Sequence, residues 1–204
     1  MFPKYAILLD GGFIINKLKN KLKRFPKSED IVDECNRVMS HPELKKYGLL
    51  RIYFYHAPPA TEEMVNPIDR SVLKLGESPL SRNTRRLLAS LEMEPNFALR
   101  LGEAVPMGWR LGNQALASLK KASKKIEPRD IVPDIKQKGV DLRIGLDIAR
   151  LSLCHLVEVI VVVTGDSDMV PAFKFARREG IKVFLDFLGH GVRRELKVHA
   201  DIVF

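Results

Sequence analysis

Apolar residues recur along this chain in short unbroken runs, separated by segments with helical spacing. The run Tyr5-Ala6-Ile7-Leu8-Leu9 ends at Asp10-Gly11-Gly12, and Val159-Ile160-Val161-Val162-Val163 ends at Thr164-Gly165-Asp166-Ser167-Asp168. A run apolar at every position suits a strand buried on both faces of a parallel sheet. Further strands are predicted at 49–56, 97–105, 181–187 and 202–204. Phe13, Ile14, Leu18 and Leu22 keep helical spacing, and Ser28 with Asp30 and Ile31 begins a helix running to about Met39. Helices are also expected at 81–93, 139–153, 169–179 (stopped by Gly180) and 192–199. Two stretches show no clean period. Residues 58–79 are rich in proline and predicted as loop with one helical turn. Residues 106–133 are basic and predicted as a flexible or partner-ordered insertion. Strands alternating with helices specify one α/β domain over 1–204 with a mostly parallel sheet.

Composition narrows the class only modestly. A hydrophobic share of 46% beside 29% charged residues is that of a globular protein. Cys35 and Cys154 belong to no zinc spacing and fit a reducing compartment. No run is apolar enough to span a bilayer, and the N-terminus meets Asp10 too early for a secretory signal, so a cytoplasmic location without membrane partners is expected. Charge adds more. The net +9 comes from 34 Lys+Arg against 25 Asp+Glu. The excess gathers at Lys17, Lys19, Lys21, Lys23, Arg24 and Lys27, and again at Lys120, Lys121, Lys124, Lys125 and Arg129, with Arg82, Arg85 and Arg86 as a smaller group. Such clusters suit a polyanion whose counterions they displace.

The chemistry lies in carboxylates at strand ends. Ligands of open α/β sheets bind beyond the carboxyl ends of the strands. Asp10, Asp166 and Asp168 converge there if the first and 159–163 strands are neighbours. Each has a plainer reading as a helix cap. On a wheel of the 139–153 helix, Asp141 shares a stripe with Gly145, Ile148 and Ser152. Leu142, Leu146, Ala149 and Leu153 flank it on one side, and Val140, Ile144 and Leu151 on the other. Three faces therefore read as buried, and a buried acid calls for a partner or a metal. Asp147 falls opposite, between Arg143 and Arg150, and reads as their ion-pair partner. Four acids without His or Cys suit Mg²⁺ or Mn²⁺, which stabilise a phosphoryl transition state and lower the pKa of bound water.

Asp10-Gly11-Gly12, Lys138-Gly139-Val140-Asp141 with Asp147, Thr164 to Pro171, Arg177 to Val183 and Arg194 to Asp201 together resemble the NYN domain family, in its LabA-like branch. The resemblance runs from the first strand to the C-terminus and is most specific in the later half. It implies a three-layer PIN-like α/β fold and Mg²⁺- or Mn²⁺-dependent endonucleolytic cleavage of RNA, single-stranded or structured. By position, Asp10, Asp141 and Asp166 match the family's metal-binding acids, and Asp168 its fourth acid. Lys138 stands where it could meet a phosphate. The segments 58–79 and 106–133 match no family motif.

Ser167, Trp109, Arg110, Lys120 and Lys121 complete the expected substrate contacts. Trp109 reads first as packing onto its own domain and second as a base-stacking platform. Tyr53, Phe54 and Tyr55 read as core or sheet surface, Cys154 as core, and His190 as a contact at the site's edge. A homo-oligomer is compatible with the sequence. The rival readings are a non-catalytic RNA-binding module of the same fold and a haloacid-dehalogenase-type phosphatase. The latter needs a second Asp two residues after the first, where this chain has Gly12.

Overall fold

The computed structural model describes residues 3–120 and 125–204. The chain opens with β1 (Lys4–Asp10), α1 (Gly11–Leu22), α2 (Ser28–Met39) and β2 (Gly48–His56). A small antiparallel hairpin follows, β3 (Glu63–Val65) and β4 (Val72–Lys74), then α3 (Pro79–Met93) and β5 (Phe97–Leu101). Next come β6 (Glu103–Leu111), α4 (Asn113–Leu119) and β7 (Ile131–Lys138). The remainder is α5 (Val140–Leu153), β8 (Val159–Val163), α6 (Val170–Arg178), β9 (Lys182–Asp186), α7 (Arg194–Val198) and β10 (Ile202–Val203).

Six strands form one parallel sheet in the order β10-β9-β8-β1-β2-β5. Residues Val159 to Val163 are buried throughout, as an interior parallel strand requires. Alternate side chains feed two cores. Leu8, Tyr55, Val162 and Val183 pack with Ile144, Ile148 and Phe173 of α5 and α6. Ile7, Leu9, Phe54 and Val161 pack with Ile14, Ile31 and Leu91 of α1, α2 and α3. The result is the expected three-layer, PIN-like α/β architecture. Among the described residues, no helix is long and apolar enough to cross a membrane.

The sequence reading fails in the two aperiodic stretches. Residues 58–79 contain the β3–β4 hairpin and deliver α3 earlier than expected. The strand expected at 97–105 divides at Gly102, where a Cβ would stand 2.5 Å from the Lys138 carbonyl. Beyond it, most of the supposed insertion is ordered. β6 and β7 pair antiparallel as an arm separate from the main sheet, with Trp109 opposite Pro133 and Lys138 opposite Glu103. Pro106 and Gly108 flank a register shift within the arm, which interrupts the alternation of its side chains. Cys154, expected in the core, is exposed.

Candidate metal centre

The chain winds outward from β1 through β2 to β5, then returns to β8 and winds the other way through β9 to β10. The β1–β8 boundary is thus the point where the winding reverses, and a crevice opens there beyond the strand ends. Asp10 ends β1, and Asp166 lies just past β8. The neighbouring strands required by the sequence argument are observed.

One buried threonine couples the two acids. The Thr164 hydroxyl donates to Asp10 Oδ2 at 3.1 Å and accepts the Asp166 N–H at 3.1 Å. Asp10 Oδ1 accepts from the Phe13 N–H at 3.0 Å and caps α1. Asp166 Oδ1 accepts from the Asp168 N–H at 2.9 Å and caps the short 3-10 turn Ser167–Met169. Capping does not exhaust either group, because each carboxylate oxygen has two acceptor sites. Gly165 permits the close approach: a Cβ there would stand 2.6 Å from the Phe13 ring.

Asp141 enters from the first turn of α5, which follows Gly139 in the left-handed region at φ 74°. It is exposed, not buried as the wheel suggested. The wheel erred because α5 buries only the arc through Val140, Ile144, Ile148, Leu151 and Ser152. Leu142, Leu146 and Leu153, expected in the core, are 66%, 59% and 57% exposed. Asp147 also differs from expectation. Its Oδ2 accepts from the Tyr55 hydroxyl and from Arg100 Nε, both at 2.9 Å, and not from Arg143 or Arg150. It ties α5 to β2 and β5.

Electrostatics groups the four acids. Burial raises the Asp10 carboxyl above its ordinary value, against the lowering effect of the Phe13 and Thr164 hydrogen bonds, and the Asp141 and Asp166 charges raise it further. Partial loss of hydration raises Asp141, reinforced by Asp166 and Asp168. Among the described residues, no Lys or Arg forms an ion pair with any of the four. An all-carboxylate set whose members repel one another fits a hard divalent cation by donor type. As placed, no three His, Cys, Asp or Glu side chains among the described residues form a group able to hold an ion.

Asp10 and Asp166 face an open cleft of about 660 Å³ that Asn16, Lys17, His190 and Arg193 also line. Ser167 lines it too, with its Oγ 3.4 Å from Arg193 Nη1. His190 therefore stands where the sequence placed it, whereas Lys17 and Arg193 were not singled out for the site. Trp109, Arg110 and Lys120 do not line this cleft. The Trp109 Nε1–H donates to the Val65 carbonyl at 3.0 Å, binding the arm to the β3–β4 hairpin, which favours its packing role. Arg110 pairs with Asp134 at 3.7 Å, and Lys120 caps α4. Lys138 is exposed at the end of β7, immediately before Gly139 and α5. Lys121 and Lys124 lie outside the described residues. A further strand-end acid, Asp186 on β9, is almost fully buried and bound to Arg37. The alternation of its strand gave no sign of that partner in α2.

Residues 110–203 match the NYN domain family model. The match includes Asp141, Asp166 and Asp168 and leaves Asp10 outside it. The fold is similar to the crystal structure of a protein of unknown function from Vibrio parahaemolyticus RIMD 2210633, with a TM-score of 0.52 and 14% identity, over 98% of this chain and 91% of that one. No curated protein matches the chain.

Proposed function

We propose that this chain is a metal-dependent endoribonuclease of the PIN-like NYN type, in the LabA-like branch. The observation that carries the reading is the Asp10–Thr164–Asp166 constellation at the winding reversal, with Asp141 close enough to repel both acids and Asp168 close enough to repel Asp141. Asp10, Asp141, Asp166 and Asp168 would hold Mg²⁺ or Mn²⁺. Such an ion, when bound, offsets charge on the scissile phosphodiester and makes water a better nucleophile at neutral pH. The protein's own contribution is placement. Thr164 fixes the Asp10 carboxylate and the Asp166 backbone in one frame, so neither acid has to be ordered when substrate arrives. Lys17 and Arg193 supply positive charge at the cleft, where an RNA backbone would pass. Lys138 at the end of β7 and Lys120 at the end of α4 carry further positive charge on the arm. The branch assignment rests on the motif resemblance at Lys138–Asp141 and Thr164–Pro171.

Asp166→Asn tests this directly. The amide oxygen can still accept from the Asp168 N–H, so the turn is retained while one negative charge is removed. With Mn²⁺ and an RNA substrate, cleavage should fall by at least ~10²-fold, with the thermal midpoint little changed. Equal cleavage by variant and wild type sinks the assignment. The separation of the acids favours one alternative, a non-catalytic RNA-binding module of the same fold. It predicts salt-sensitive RNA binding by the wild type with no metal-dependent turnover.

A further inference from the structure

One strand away from the acids, at the carboxyl end of β2, lies a cavity of about 380 Å³. It is a partly open cavity lined by α1, the segment after β2, the start of α3 and, from the β6–β7 arm, Ala104, Ile135 and Gln137. Its walls are mostly apolar, with Phe25, Pro58, Pro59 and Leu80 among them. Two polar side chains line it without satisfying their hydrogen-bonding capacity. His56 Nδ1 and Ser81 Oγ are both buried and have no hydrogen-bond partner. The residues are only 7% and 2% exposed. Buried polar atoms are rarely left unpaired, so two in one cavity point to a ligand that pairs them.

The position narrows the class of ligand. Gly12 and Asn16 line both this cavity and the acidic cleft, so the first turns of α1 form the wall between them. Asp10 and Tyr55 are register partners on adjacent strands, and His56 is the next residue of β2. A chain with a phosphate at Asp10 and Asp166 has a neighbouring group within reach of the cavity. Mostly apolar walls with two unpaired polar atoms suit a group that is largely apolar on its faces and carries hydrogen-bonding atoms on its edge. A nucleobase has these properties. A neutral imidazole and a hydroxyl can each donate or accept, so they can pair with a base edge. Burial holds His56 in its neutral form, with a pKa lowered to about 4.

We infer that this cavity is a base-recognition pocket for one nucleotide of the polynucleotide whose backbone crosses the acidic cleft, with His56 and Ser81 reading the base edge. The inference rests on the nuclease reading for its polymer, but not on turnover. The experiment therefore uses full-length protein carrying Asp166→Asn, without metal. Affinities are measured for the four homopolymeric tetraribonucleotides and the four nucleoside 5′-monophosphates. Expected is at least about tenfold preference for one tetranucleotide over the weakest, and tighter binding of that tetranucleotide than of its monophosphate. Adding Ser81→Ala or His56→Phe should reduce the preference by about five- to tenfold. Ser81→Ala deletes an unpaired buried hydroxyl and should leave the thermal midpoint unchanged or higher, which separates lost recognition from lost folding. Equal binding of all four tetranucleotides, or a preference that survives both substitutions, overturns the pocket. Monophosphates that bind as tightly as tetranucleotides overturn the polymeric ligand in favour of a free nucleotide. Base discrimination by a protein whose wild type never cleaves would keep the pocket and remove the nuclease.

Discussion

Removing the Asp147 carboxylate should loosen α5, the helix that presents Asp141. Asp147 Oδ2 accepts from the Tyr55 hydroxyl and Arg100 Nε, both at 2.9 Å. Tyr55 is fully buried, while the Arg100 side chain is 36% exposed. Burial and the nearby carboxylate both push the Tyr55 phenol upward, so it remains a donor. A hydrogen bond to a charged group contributes about 1.5–3 kcal/mol, and an orphaned buried hydroxyl costs about 1–3 kcal/mol. These describe much the same loss and are not summed. The Arg100 contact is screened and adds under about 1 kcal/mol. Asp147→Ala should therefore cost about 2–3 kcal/mol, lowering the thermal midpoint by about 5–10 °C for a chain of this size. Tyr55→Phe alone should cost about 1 kcal/mol. The sign of the double mutant is the sharper test. Tyr55→Phe in the Asp147→Ala background removes the orphaned hydroxyl and should restore about 1 kcal/mol. Urea unfolding of the four proteins, followed by circular dichroism at 25 °C, measures all these terms. If the two single losses simply add, the hydroxyl is not bound to Asp147 as described.

Arg37→Ala should destabilise by about 3 kcal/mol, at the lower end for a broken buried pair, because Asp186 is almost fully buried whereas Arg37 is half exposed; urea midpoints measure it, and a loss below about 1 kcal/mol would mean that water reaches Asp186. His56 gives a pH signature. Its folded pKa is depressed from 6.5 to about 4, so the unfolded chain binds the extra proton in that interval, and stability is lost as pH falls through it. At about 1.36 kcal/mol per pH unit the loss approaches about 3 kcal/mol. Comparing His56→Phe with wild type between pH 4 and 7 isolates this term, and identical slopes would refute it.

Much of the fold was legible because parallel strands buried on two faces leave no polar position within them. Val159 to Val163 could hardly be anything else. The same logic placed Asp10 and Asp166 at strand ends, and the winding order brought them together. The wheel of α5 was less informative. It treated every apolar residue as core, although an outer-layer helix buries only one arc, so Leu142 and Leu146 misled the placement of Asp141. Asp147 was assigned to its neighbours in sequence because wheel geometry cannot reveal Tyr55 or Arg100 on other elements. No sequence pattern gives Thr164 a role, since its function depends on two hydrogen bonds that join the ends of different strands. The β6–β7 arm leaves no strand signature in the sequence because a register shift interrupts its alternation.

The Thr164–Asp10 bond joins positions 154 residues apart, and the β1–β8 pairing spans a similar stretch of chain. Contacts of such long range are slow to form, because the entropy of closing the loop is lost before the contact compensates for it. During synthesis, β1 is made well before β8, so its partner on one side does not exist until Val163 has been added. A nascent fragment therefore carries Asp10 without Asp166, and basic segments without a complete acidic site. Assembly of the centre therefore waits on synthesis through Asp168. A centre that cuts RNA would thus meet the message being translated only in its incomplete form until Asp168 has been made.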